Sequence, residues 1–384
     1  MLRAALVILA IFCLPLASLH AETPGGLEAN AALKYWQAFA TMPKLSDAEQ
    51  NKLAEYLIKP LDAHVKEVLA QAEYSLQMMR DGAALPRCEW GTPYEEGINI
   101  LLPHGSAARV LCNLACLRAR LRFEEGKSKE AIDDLIAALI MGRHISFAGT
   151  NIMLLAGYAL EHRVYETLAQ ELPRLDARMI RYVQARLAGL PAGTTPAAAM
   201  KSEERSFLDW FVRKVKEAKD KESLVALLAP LFISEEKGQK PDLQKKAREF
   251  LESSGGTADG VLKFAAETRM SYILVAKQLE LPLAQFEKEF EREGKAQANN
   301  PVFQVFFPAM VNVRRAVARM EVRRALLSAA LAVQLEGRDA LKNHPDPVMG
   351  GPFEYSAFEG GFELRSKLKN RDDKPVVLTA GVRK

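Results

Sequence analysis

Glu89, Trp90 and His104 lie within one stretch, 83–104, punctuated by Pro86, Gly91, Pro93, Gly97 and Pro103. A carboxylate, an indole wall and an imidazole on such a loop are the parts of a hydrolytic or ligand-binding cleft. A Trp in a loop more commonly pins it to the body of the fold, and pinning is the expectation here, with the cleft as the alternative. His162 and Glu166 stand four apart and share a helix face, with His144 not far upstream. A zinc site needs three or four ligands, so without a third the pair reads as a surface hydrogen bond. Glu203 and Glu204 are adjacent. They diverge by about 100° around a helix and do not make a paired acid and base; helix capping near an N-terminus is their expected role. Ser366 and Lys369 spell S-x-x-K, but that motif belongs at a helix N-terminus and these residues fall at a strand end. Phe207, Trp210 and Phe211 read as core rather than as a ligand box. G-x-S-x-G, H-E-x-x-H, P-loop and G-x-G-x-x-G patterns are missing. The expectation is therefore no catalytic residue, no metal and no cofactor.

Cysteine placement and the N-terminus bear on the compartment. Met1-Leu2-Arg3 carries one positive charge, and Ala4 to Leu14 follows with no polar side chain except the Cys13 thiol. Pro15 breaks the run, and Ala21 offers a small residue for cleavage before Glu22. This is the order of a secretory signal over 1–21. Bulky Phe12 before Cys13 argues against a lipoprotein signal. The expected location is periplasmic or secreted; an uncleaved N-terminal membrane anchor is the alternative, since Leu16 and Leu19 extend the apolar stretch. Cys88, Cys112 and Cys116 remain after cleavage. Cys112 and Cys116 sit four apart on one helix, a poor geometry for a bridge, so a disulfide would join Cys88 to one of them. The alternative is three small core residues.

Composition narrows the partners. The 384 residues are 49% hydrophobic and 26% charged, ordinary values for a chain that buries a core. A net charge of +4 gives no reason to expect nucleic acid or an anionic membrane as the main partner.

Helical periodicity organises the chain. Ala31, Tyr35, Ala38 and Phe39 mark one helix; Ser46-Asp47-Ala48-Glu49 is a capping box opening the next; a third runs from near Asp62 to Asp81-Gly82. Ala107, Ala108, Cys112, Ala115, Cys116 and Ala119 form a small-residue face that lets helix axes approach closely. Gly126 then turns the chain into a helix carrying Ala131, Leu135, Ala138 and Leu139. This hairpin is similar to one tetratricopeptide unit, but later pairs lack its signature. Leu190 to Pro196 is a break. Beyond it lie a polar stretch at 234–258, amphipathic segments at 259–279 and 283–293, and a long helix with Val313, Val317, Met320, Leu327 and Leu331. Its Arg314, Arg315, Arg319, Arg323 and Arg324 are expected on a solvated face rather than in one stripe, with Glu321 as a partner. The tail alternates as strands at 353–356 and 362–365 about Gly360-Gly361, with Val376-Val377-Leu378 as a third candidate.

Two segments carry resemblances. Trp90-Gly91, Leu101 to His104, Ala108-Arg109, Leu117 to Leu121, Ala131 to Leu135 and Gly142-Arg143-His144 resemble a group of exported helical proteins of planctomycete-like bacteria. The likeness covers 30–191 and implies no particular activity. Asp346-Pro347, Gly351-Pro352-Phe353, Tyr355, Gly360-Gly361-Phe362 and Ser366 are similar to the β tail of type II secretion pseudopilins. Those proteins have a methylated N-terminal helix and a calcium loop, which Asn370-Arg371-Asp372-Asp373 replaces only loosely here.

The expected fold is all-α, a helical-hairpin array tetratricopeptide-like in part, with a small C-terminal β-hairpin. The expected organisation is a signal at 1–21, a helical-hairpin domain at 22–190, a second helical region at 197–342 and a tail at 343–384. The expected role is non-enzymatic: protein interaction or structural support in the periplasm or envelope, with a protein partner, no nucleic acid and no membrane span beyond an N-terminal anchor. The alternatives are a hydrolase or ligand-binding protein with its site at 83–104, and a secretion-apparatus accessory acting through the tail.

Overall fold

Polar caps set most of the helix starts. In the computed structural model, which describes residues 29–232 and 242–383, Ser46 and Glu49 close their capping box at the start of α2 (Asp47–Glu55). Asn30 caps the preceding α1 (Ala31–Thr41), and Asp62 caps α3 (Ala63–Gln71). The signal segment 1–21 and its Ala21-Glu22 junction lie outside the described residues.

The expected third helix is two helices. Ala72, completely buried, bonds through its amide to the carbonyls of both Val68 and Leu69, and the chain restarts as α4 (Glu73–Ala83). That tightened turn swings α4 alongside α1. Next come α5 (Pro103–Glu124), α6 (Ser128–Ser146), α7 (Asn151–Glu171) and α8 (Ala177–Ala188). Gly126, at φ +73°, makes the α5–α6 turn expected of it.

The α6–α7 crossing is set by two glycines. A Cβ on Gly157 would lie 2.5 Å from the Gly142 carbonyl oxygen, inside any permitted contact. Gly157→Ala should therefore force the helices apart and cost about 2 kcal/mol or more. Gly189→Ala meets only ordinary contacts, the nearest at 3.6 Å, and should be near neutral. Urea midpoints of the two variants check this, and equal midpoints would remove the close-approach argument.

The second helical region contains α9 (Pro196–Glu203), one turn of π-helix at Glu204–Leu208, α10 (Asp209–Glu217) and α11 (Lys221–Leu228). It continues with α12 (Leu243–Ser253), α13 (Ala258–Gln278), α14 (Leu283–Ala296), α15 (Pro301–Phe306) and α16 (Met310–Glu336). The tail is an antiparallel sheet in the order β1 (Glu354–Phe358), β2 (Gly361–Lys369), β3 (Pro375–Ala380), so the third candidate strand is formed. Leu364 faces Tyr355 on one side and Leu378 on the other, and the sheet lies on α7 and α16. In the β2–β3 turn the Asn370 side chain accepts from the Asp372 and Lys374 amides.

The core divides differently from the expected 197–342 boundary. One apolar cluster joins α1 to α8 with the sheet and the later half of α16, from Met320 onward. The other joins α9 to α15 with Met310 and Val313 at the start of α16. Helix α16 is therefore shared, because its apolar face runs its full length while its neighbours change along it.

The α16 arginines also depart from expectation. Arg314 and Arg319 are buried, not solvated. Arg314 donates to the Leu281 carbonyl and pairs with Glu321 at 3.5 Å, the partner anticipated. Arg324 grips the buried Glu161 of α7 with contacts of 2.8–3.2 Å. Arg315, Arg319 and Arg323 do share a row at four-residue spacing. Helical angle alone did not reveal which part of that row other elements cover.

Candidate functional site

The 83–104 loop is pinned, as expected; of its three candidate residues Trp90 and His104 meet, and Glu89 stands apart from them. Asn30 holds the loop by accepting from the Glu89 amide at 2.9 Å and donating to its carbonyl at 2.8 Å. The Glu89 side chain is exposed and pairs with Arg87. Trp90 is buried; its Nε1 donates to the His144 carbonyl at 2.7 Å, and its ring stacks on His104 with centroids 4.5 Å apart. Burial pushes the His104 and His144 imidazoles down to about 4, so both are neutral at physiological pH. The Tyr35 hydroxyl bonds His144 Nδ1 at 2.8 Å. The loop's aromatic residues thus belong to a packed cluster rather than to a cleft.

The remaining candidates separate similarly. Cys88, Cys112 and Cys116 are free buried thiols, the reading weighed against a Cys88 bridge. Cys112 Sγ faces the Leu160 carbonyl at 3.9 Å. His162 Nε2 lies 3.3 Å from Glu166. Burial, with Arg323 and Arg163 nearby, pushes that imidazole down to about 3, so the contact is that of a neutral ring and not an ion pair. Among the described residues, no three His, Cys, Asp or Glu side chains cluster as metal ligands. Ser366 is buried on β2 and donates to Asp346 at 2.5 Å, while Lys369 is exposed and pairs with Asp373. Trp210 and Phe211 are core, as expected. Trp210 lies flat against Gly97, where any Cβ would strike its ring at 2.2 Å.

Phe207, by contrast, lines a cavity of about 400 Å³. Its walls come from the first turns of α7, the α9–π-helix junction, α13, α15 and the start of α16; Leu155, Phe306 and Val313 are representative. Three polar side chains interrupt them: Glu203, Asn151 and Tyr272.

The α9–α10 path explains why Glu203 reaches this cavity and Glu204 does not. The π turn inserts an extra residue per turn and reorients the side chains around it; such turns recur at functional sites. Glu204 pairs outside with Arg269 at 2.5 Å. Glu203 accepts the Asn151 backbone amide at 2.7 Å. The two carboxylates therefore diverge as expected, but the capping expectation needs correction. Glu203 ends its own helix and satisfies the N-terminal turn of a different one, α7, beside the Thr150 cap. Burial pushes the Glu203 carboxyl up to about 7 against the opposing pull of the Asn151 amide.

Asn151 is 6% exposed. Its Nδ2 faces the thioethers of Met200 at 3.6 Å and Met310 at 3.9 Å, and its Oδ1 has no hydrogen-bond partner. The Tyr272 ring meets Phe307 edge-on at 4.8 Å, and burial raises its phenol well above the usual range. An apolar enclosure with a few convergent polar groups, one of them an acid moved toward neutrality, has the composition of a ligand pocket.

Sequence reasoning noticed Glu203 and Phe207 but passed over Asn151 and Tyr272. The Asn151–Glu203 contact spans 52 positions. The available signal was a pair of acids ahead of an aromatic helix face, next to a Thr-Pro cap.

The chain matches no protein-family model, no curated protein and no solved structure with which it was compared.

Proposed function

We propose that this protein is exported to the periplasm or envelope and acts there by binding, without catalysis, and that its ligand occupies the Glu203 cavity rather than the 83–104 loop. The N-terminal segment supports export. The observation that carries the binding reading is the chamber itself: about 400 Å³ walled by aliphatic and aromatic side chains, with the polar groups of Glu203, Asn151 and Tyr272 among them. The volume falls in the range that holds small molecules, and the walls are aliphatic and aromatic. The cavity offers one carboxyl, one carboxamide and one phenol, a set suited to orienting a ligand. Among the described residues no helix is long and apolar enough to cross a membrane.

The uncharged probe N-phenyl-1-naphthylamine tests this reading. It should bind with one saturable fluorescence rise. Leu155→Trp, which fills the chamber from α7, should weaken binding at least about tenfold, the loss of roughly 1.4 kcal/mol, while keeping the helical signal. No saturable binding, or equal binding by the filled variant, would overturn the assignment of the cavity.

A further inference from the structure

Glu203 is a half-buried carboxyl without a cation. Among the described residues no Lys, Arg or His pairs with it, and its recorded carboxyl partner is the Asn151 amide. Two nearby cations are already committed: Arg269 is held by Glu204 at 2.5 Å and by Asp209 at 2.6 Å, and Arg205 lies over the Tyr94 ring. The polar side chains of the chamber are Glu203, Asn151 and Tyr272. What it lacks is positive charge.

Resting on the binding reading above, we propose that the cavity takes a primary amine with an apolar body, its ammonium seated against Glu203. An ammonium brings N–H donors for the carboxylate and the charge that makes an ionised Glu203 tolerable among apolar walls. The Phe207 and Phe306 rings line the same chamber, and aromatic faces attract cations. A carboxylate head fits badly. The N-terminal turn of α7 would ordinarily draw an anion, but Glu203 already occupies it. An alcohol head supplies a donor but no charge to offset an ionised Glu203.

Displacement of bound N-phenyl-1-naphthylamine at pH 8 by octylamine, octanol and octanoate, equal in chain length, tests the head-group preference. Octylamine should act at a concentration at least about tenfold below that of octanol, and octanoate should be the weakest. Glu203→Gln keeps a carbonyl oxygen for the Asn151 amide, so the α7 start should survive. It should bring octylamine to the level of octanol and leave octanol unchanged. Octylamine no better than octanol on the wild type overturns the amine inference while the cavity reading stands. An amine preference that persists in Glu203→Gln also overturns it, by placing the ammonium elsewhere. If neither probe nor any octyl compound binds, both readings fall. Should the variant fail to fold, the ranking of the three compounds on the wild type decides.

Discussion

Asp134→Ala should destabilise the folded chain by about 3–5 kcal/mol at neutral pH, the cost of stripping a buried cation of its partner. Asp134 has no exposed surface. Its two oxygens receive Arg80 at 2.6 Å, Arg118 at 2.6 and 2.9 Å and Arg122 at 2.7 Å. These contacts lock α4, α5 and α6 together at one point. Glu73 on α4 adds a second carboxylate, 2.8 Å from Arg118, but it is largely exposed. Without Asp134, three guanidiniums face one solvated carboxylate, and Arg118, 4% exposed, cannot reach water. Arg122→Gln removes a less buried arm and should cost less, about 1–2 kcal/mol. Urea unfolding of the two variants beside the wild type measures this. A loss below about 1 kcal/mol for Asp134→Ala would mean the network carries little net stability.

Acid should unfold the protein steeply between pH 6.5 and 4. His104 and His144 are held neutral in the fold down to about pH 4 by burial, while an unfolded chain protonates them near the usual 6.5. Their depressed values make the unfolded state bind more protons throughout that window. Stability is therefore fully present above about pH 6.5 and lost as the pH falls toward 4, by on the order of 3 kcal/mol for each ring. Glu203 works in the opposite sense. Its carboxyl stays protonated in the fold up to about 7, against 4.5 for an ordinary glutamate, so its contribution is lost as the pH rises from 4.5 to 7. Two rings outweigh one carboxyl, and the net slope still favours the fold at higher pH. Glu203→Gln removes the opposing slope, so the variant should gain on the order of 2–3 kcal/mol at pH 8 and show a steeper acid transition. Urea midpoints from pH 4 to 8 give both slopes. A wild-type midpoint that stays flat from pH 7 to 5 would contradict the buried neutral imidazoles.

Local features of this fold were legible and distant ones were not. The Ser46 box, the Gly126 turn, the small face of α5 and the tail strands each follow from residues a few positions apart. Trp90 was read correctly as a pin because an indole in a loop must bury its ring somewhere. The Ala72 break escaped notice because apolar spacing continues through it; only the tightened amide geometry marks the boundary. Asp134 went unremarked, although Ala131, Leu135 and Ala138 around it lie on the buried face of α6. The Glu203 chamber needed α7, α13, α15 and α16 brought together over more than a hundred positions. Periodicity tells which face of each helix is apolar but not which faces meet, and burial of charge at Arg314, Arg319 and Glu161 depends on that meeting.

The sharing of α16 bears on when the chain can fold. Its 27 residues, about 40 Å of helix, begin in the wall of the Glu203 chamber and finish beneath the sheet. The cluster built on the earliest helices stays open until Met320 to Val333 and the strands through Ala380 arrive. Synthesis runs from the N-terminal side, so the apolar faces of α1 to α8 are covered in full only after α16 and the strands have been made.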